Sequence, residues 1–316
     1  MPQVIDLYLD LPPTPDQIVS LLTWFFLGEG AQSAKGYKYT FGAKMAEFVG
    51  SSLAEMDEVS AAGREAFAAF ARRHAGAVCK TMPEFIRYLD EIGVAWGITS
   101  TSDHDNGKTA EIVAAYPKRL LGFAYIDPSR PVPAVRDLEY AIRELKLAAA
   151  YITAFRAGIP ANDRRCYPVY AKAVELGIPV FIYSAMNLSG ALPMDVGHPR
   201  CIDDVARDFP ELKIMAAVCG YPWITEMVGI ARRHPNLYLS TEILEPAEMA
   251  VPGKGFEMLL HFGGTELQDR ICFASNWLLQ GKLLAELIEQ VRALPLPDTV
   301  KEKWLYHNAA RFFERA

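Results

Sequence analysis

The sequence has no long apolar run, no basic cluster and no paired cysteines, and each absence removes a class of function. The longest hydrophobic stretch, around Leu21 to Leu27, falls far short of the roughly 20 residues that a membrane-spanning helix needs. From Met1 the chain runs within a few residues into Val4-Ile5-Asp6-Leu7-Tyr8-Leu9, without the basic region, apolar segment and cleavage site of a secretory leader. Lys and Arg are spread among more numerous Asp and Glu, for a net charge of −6. Nucleic-acid binding, which rests on clustered cations neutralising phosphates, is therefore not expected. The five cysteines (Cys79, Cys166, Cys201, Cys219 and Cys272) are scattered and odd in number, and none forms a CxxC pair. Free buried thiols in a reducing compartment fit that usage, so the expected location is cytoplasmic.

What is present is a long, apolar chain. At 316 residues it suits a single α/β barrel carrying an insertion, and it can bury a large core without disulfides or metal to hold it together. The hydrophobic share of 51% is high for a soluble monomer. A subunit interface would account for it, either between copies of the chain or with a related subunit; so would an apolar pocket or the large core itself.

Short apolar stretches alternate with amphipathic ones from end to end. The candidate strands are Val4–Leu9, Val94–Thr99, Leu120–Ile126, Ala148–Thr153, Pro179–Ser184, Lys213–Val218, Leu237–Thr241 and Arg270–Ala274. Their near-continuous apolarity is that of parallel strands covered by helices. Thr14-Pro15-Asp16-Gln17, Ser52-Leu53-Ala54-Glu55 and Thr81-Met82-Pro83-Glu84 read as capping boxes that open helices. Tyr116-Pro117, Phe209-Pro210 and His234-Pro235 read as helix stops, because proline cannot continue the hydrogen-bond ladder. Eight strand–helix units close most simply as a (β/α)₈ TIM barrel, one domain over residues 1–316. Residues 28–80 break the rhythm as an insertion between strands one and two, with a flexible loop over Gly30–Tyr39 and helix from Ser52 to His74. A βα insertion lies on the catalytic face of a barrel, so this one is expected to be a lid, a dimer contact or an inert elaboration.

Several segments carry a resemblance. Gly122-Phe123-Ala124-Tyr125-Ile126-Asp127-Pro128 is followed by Ala134-Val135-Arg136-Asp137-Leu138-Glu139 and Pro160-Ala161-Asn162-Asp163-Arg164. Then come the run from His198 to Pro210, Gly220-Tyr221-Pro222-Trp223, and Leu305-Tyr306-His307-Asn308-Ala309-Ala310-Arg311-Phe312-Phe313. In this order they resemble the amidohydrolase superfamily, in the branch of aminocarboxymuconate-semialdehyde decarboxylase and related hydrolases. The resemblance implies a TIM barrel with a divalent metal at its C-terminal mouth. The His-x-His pair that it implies after strand one falls on Tyr8 and Asp10. The histidines after strands five and six fall on Tyr183 and Val218, and the aspartate after strand eight falls on Asn276. The Lys and His of strand four correspond to Tyr151 and Thr153. Valine has no lone pair and neutral tyrosine is a poor ligand, so no metal and no other cofactor is expected.

Inward residues at strand ends remain the expected site of any TIM barrel. The catalytic candidates are Asp10, Tyr8, Tyr183, Asn276, His104 and Glu242; Arg156, Tyr151 and Trp277 are the candidate substrate contacts. Asp10 in an apolar mouth would have a raised pKa suited to a general base. Tyr8, Tyr183 and Asn276 offer donors to an oxyanion, or else form a hydrogen-bonded cluster that fills the vacated space. Arg156 suits a substrate carboxylate, or an ion pair with Asp163. Asp103-His104-Asp105-Asn106 offers a His–Asp acid/base pair, or simply a helix cap. Cys219 reads as a buried small hydrophobe. One functional reading is a metal-independent hydrolase, lactonase, isomerase or lyase acting on a small cyclic or acidic substrate. The alternative is an inactive barrel that binds a ligand or partners a related subunit. An unorthodox metal site on Asp10, His104 and Glu242 is a third.

Overall fold

The computed structural model describes residues 3–28, 36–76, 78–153, 156, 158–190 and 193–315. Eight parallel strands follow one another around a barrel in sequence order: β1 (Val4–Asp6), β2 (Val94–Thr99), β3 (Leu120–Tyr125), β4 (Ala149–Ile152), β5 (Val180–Tyr183), β6 (Ile214–Ala217), β7 (Leu237–Ser240) and β8 (Ile271–Cys272). Helices between them cover the outside. The fold is the (β/α)₈ TIM barrel that the alternating pattern calls for.

Apart from β2, which fills its apolar run, the strands are shorter than the runs that announce them, most of all at the seam where β8 meets β1. Beyond Cys272 the backbone N–H groups leave the ladder: Phe273 donates to Trp304 O, Ala274 to the Thr241 hydroxyl and Ser275 to an Asp6 carboxylate oxygen. β1 stops at Asp6 because that same side chain takes the N–H of Tyr8. The seam is closed past the strand ends by Leu7 N–H to Phe273 O (3.0 Å) and Asn276 N–H to Tyr8 O (2.9 Å).

Two of the three helix-opening motifs form both halves of a capping box, at Thr14 with Gln17 and at Thr81 with Glu84. At Ser52 the hydroxyl caps Glu55 N–H, but the Glu55 carboxylate turns to the Ser51 hydroxyl instead. The three aromatic-proline or histidine-proline stops end helices at Ala115, Asp208 and Arg233.

Within the insertion, residues 29–35 lie outside the described residues, so the loop expected there is untouched. Residues 36–39 are helical rather than loop, leading into Lys38–Gly42 and Ala43–Phe48. The single helix expected from Ser52 to His74 is two, Leu53–Ala61 and Arg64–Ala75. They part at Gly63, whose φ of 100° and ψ of 170° only glycine adopts readily. These helices build a second apolar core with helix Pro15–Leu27: Leu22 and Phe25 pack with Met45, Met56, Phe67 and Phe70. That core sits against the barrel mouth. Tyr37 hydroxyl accepts from Leu188 N–H after β5, Lys44 pairs with Glu245 after β7 at 2.6 Å, and Phe48 meets Trp277 after β8 edge-on.

Candidate active site

The mouth gathers its polar groups from opposite sides of the barrel. Glu242, two residues past β7, is 2% exposed. Its carboxylate accepts from Tyr151 hydroxyl at 3.0 and 3.1 Å, and from the Asn276 amide at 3.4 Å. Burial outweighs these donors and pushes its pKa to about 8. Asp10 lies in the loop after β1. Its carboxylate accepts Leu278 N–H at 2.9 Å, and its backbone carbonyl accepts the Trp277 indole N–H at 3.0 Å. Desolvation, aided by the charge of Asp6, raises Asp10 to about 7.

Asp6 is the acid that the sequence reading missed. It is fully buried and accepts three donors: Tyr8 N–H at 3.0 Å, Ser275 N–H at 2.8 Å and Ser275 hydroxyl at 2.5 Å. Burial still carries it to about 6. The available signal was a lone acid inside the apolar run Val4-Ile5-Asp6-Leu7, since a charge is rarely placed there without partners.

Tyr125 was the second omission, and it links the cluster to open space. Its hydroxyl is 2.9 Å from that of Tyr8. Its ring stacks on Tyr151 at 4.8 Å and on the His104 imidazole at 3.8 Å. Beside it opens a cavity of about 220 Å³ lined by His104, Tyr125, Ile126, Asp127, Thr153 and Arg156. Arg156 is exposed, and among the described residues no carboxylate pairs with it; Asp163, its expected alternative partner, is held by Arg165 at 2.8 Å.

His104 does not form the anticipated pair with an aspartate. Asp103 turns to Lys108 at 2.5 Å, which holds it down at about 2, and Asp105 caps the next helix through Lys108 N–H. Burial and the Arg156 charge press His104 to about 4, so it is neutral at pH 7 rather than poised near it. Trp277 is not placed as a substrate contact: it is 5% exposed, between Phe48 and Phe85, with its N–H spent on Asp10. Tyr151 is equally withdrawn and positions Glu242. Tyr183 hydroxyl donates to Met186 O at 3.4 Å, and burial raises its pKa. The Cys219 thiol is buried and pushed up to about 12, which leaves it inert.

Five non-glycine residues beyond the strand ends have left-handed backbones: His104, Val218, Cys219, Ile243 and Asn276. For the β-branched Val218 and Ile243 this is costly, and such strain persists only where surrounding structure enforces it. It concentrates after β2, β6, β7 and β8, at the mouth.

The donor set does not fit a divalent ion. Among the described residues no three His, Cys, Asp or Glu side chains come together to hold a metal, so Asp10, His104 and Glu242 do not form the unorthodox site considered above. The residues to which the resemblance assigns the ligand places (Tyr8, Asp10, Tyr183, Val218 and Asn276) are two phenols, one acid, an alkyl group and one amide.

Solved structures of the same architecture cover nearly the whole chain. An uncharacterised TIM-barrel protein from Bordetella bronchiseptica matches with a TM-score of 0.72 at 21% identity, over 99% of this chain and 98% of that one. A 5-carboxyvanillate decarboxylase from Sphingomonas paucimobilis matches with 0.65 at 16% identity, over all of both chains. A dihydroxybenzoic acid decarboxylase from Polaromonas, solved with manganese and 2-nitroresorcinol, matches with 0.60 at 16% identity, over 100% of this chain and 98% of that one. At these identities the likeness establishes the fold. The family itself is settled by sequence: the amidohydrolase family model matches residues 60–315, and the chain belongs to that family.

Proposed function

We propose that this protein is an enzyme that performs acid/base chemistry on a small organic acid without a bound metal, at the mouth around Asp10 and Glu242. One observation carries the reading. Two carboxyl groups are held there away from water, so that burial pushes both up towards neutrality, and among the described residues no Lys or Arg pairs with either. An acid tuned near the working pH can both give and take a proton, which is what general acid–base catalysis requires.

The roles follow from position. Arg156 at the cavity wall takes the substrate's carboxylate in a bidentate grip. Asp10, half-buried where Glu242 is sealed, is the more accessible of the two acids and is assigned the proton exchange. Glu242 stands behind it as a second proton store fixed by Tyr151 and Asn276. The Tyr8 and Tyr125 hydroxyls stabilise negative charge that develops on a substrate oxygen. Two of the solved structures of the same fold are decarboxylases of hydroxylated aromatic acids, which makes non-oxidative decarboxylation the first reaction to test. In that step the carbon–carboxylate bond breaks, carbon dioxide leaves, and the carbon that held it takes a proton from the enzyme. Lactone opening, with Asp10 as base towards water, is the second. The insertion, packed on the loops after β5, β7 and β8, acts as a fixed lid.

The decisive experiment is a screen of small cyclic and aromatic acids and lactones in the presence of a chelator. Turnover that survives chelation and drops by orders of magnitude in Asp10→Asn supports the reading; turnover untouched by that substitution removes Asp10 as the acid/base group. A binding role without turnover is favoured by one fact, that Glu242 is sealed from the cavity. Ligand binding with no turnover of any screened compound would establish it.

A further inference from the structure

We propose that the cavity between the ends of β2, β3 and β4 binds a small organic carboxylate on Arg156, and that His104 becomes an imidazolium as the anion enters. The inference rests on Arg156 as the substrate's anchor and deepens it: binding is coupled to proton uptake at a second, specific residue.

The geometry around His104 sets up the coupling. Its ring lies flat on Tyr125, 3.8 Å away and only 16° from parallel, and its left-handed backbone (φ 56°) fixes it against the cavity wall. Its Nδ1 is 3.4 Å from the Ser100 hydroxyl. The titratable groups that face it come from four elements. Asp103, in its own loop, is already bound to Lys108 of the following helix. Tyr125, from β3, offers a neutral phenol. Asp127, after β3, lines the same cavity with one carboxylate oxygen accepting Ser129 N–H. Arg156, after β4, is the cation.

With the cavity empty, the Arg156 charge and the loss of water both oppose a proton on His104. A carboxylate docked on Arg156 changes both conditions. It cancels the repulsion, and it places an anion in the 220 Å³ space that the imidazole also lines. The ring then gains a proton and becomes a second charged donor to the same carboxylate. Linkage requires the converse: whatever protonates His104 tightens the anion by the same factor.

Benzoate is a suitable probe, because it is a flat monocarboxylate that stays ionised across the range used. Its binding is measured by titration calorimetry at several pH values, in two buffers of different ionisation heat, so that protons taken up per ligand are counted directly. The expected result is net proton uptake, with affinity rising by up to about tenfold per pH unit as pH falls below neutrality. His104→Asn, which tolerates the left-handed backbone, is expected to bind benzoate with that slope flattened. Arg156→Met, at an exposed position, is expected to weaken binding about tenfold or more.

The proposal is overturned if benzoate binds without proton uptake, or if the full uptake persists in His104→Asn and so belongs to Asp10 or Glu242. Unchanged affinity in Arg156→Met, or no binding of benzoate or the smaller acetate, overturns it as well. None of these measurements needs turnover. A failed activity screen with proton-linked binding therefore sinks the enzyme reading alone, and turnover without proton-linked binding sinks this one alone.

Discussion

Tyr151 and Glu242 face each other across the barrel, one on β4 and the other just past β7, and the phenol bridges both carboxylate oxygens at 3.0 and 3.1 Å. This donor works against the burial that raises the acid, so it sets where the Glu242 pKa finally rests. Without it the carboxyl would hold its proton to still higher pH.

Tyr151→Phe keeps the ring stack with Tyr125 while removing only the hydroxyl. The Glu242 pKa is expected to move above about 8, so any activity limb governed by this acid shifts to more alkaline pH. The infrared band of the protonated carboxyl, followed against pH, reports the same shift without a substrate. The lost bond to a buried acid should also cost about 1–3 kcal/mol in denaturant unfolding. An unmoved titration would mean that the hydroxyl does not tune this carboxyl.

Three raised acids in one mouth make stability depend on pH in an unusual direction. Asp6, Asp10 and Glu242 rise from ordinary values of 3.8, 3.8 and 4.5 to about 6, 7 and 8. The folded chain thus holds protons that the unfolded chain gives up. Their stabilising contribution is complete below about pH 4 and is lost as pH climbs through the folded values up to about 8. Asp10→Asn removes one such charge, and its amide oxygen can still accept Leu278 N–H. The variant should melt at a higher temperature than the parent at pH 8, with the gap closing towards pH 4. An acid retained at a cost to stability is what a functional site produces, so a variant that is both more stable and inactive would support the proposed role.

The barrel was legible in the sequence because its signal is repeated eight times, and because proline stops and capping boxes act locally. Strand ends were not, since at β1 and β8 the ladder is interrupted by a side chain, Asp6, that reaches across 269 positions of chain to Ser275. Position in the fold identified Asp10, Glu242 and Asn276 as neighbours of one mouth. It could not say that Trp277 faces the insertion, or that Asp103 prefers Lys108 to His104, because those choices belong to side-chain packing. The break at Gly63 escaped for the opposite reason: one glycine in a helical pattern is weak punctuation until its dihedral angles are known.

That glycine offers a control on the insertion. An added Cβ at Gly63 would meet nothing within 4 Å, so only the backbone opposes it. Gly63→Ala should lower stability by about 1–3 kcal/mol, the cost of forcing an L-residue into that region. Chemical denaturation measures it, and ligand binding at the mouth should stay unchanged. A neutral substitution would show that the two helices can meet in another way.

Metal content is the most exposed prediction. A divalent ion at the mouth would need several good donor atoms within reach, and few are offered there. Tyr8 and Tyr183 offer only phenols, which are poor ligands when neutral, and Val218 has no donor atom. Asp10 is left with Asn276 and the sealed Glu242. Elemental analysis of protein purified without chelator should find transition metals well below one per chain, and added manganese should leave the melting temperature unchanged. The Asp10 pKa gives an independent reading, because a bound cation would drag it from about 7 to below its ordinary 3.8. A carboxyl that titrates near neutrality, in protein as purified, is incompatible with an ion beside it; one that stays ionised down to pH 3, with manganese stabilising the fold, would overturn the metal-free mechanism.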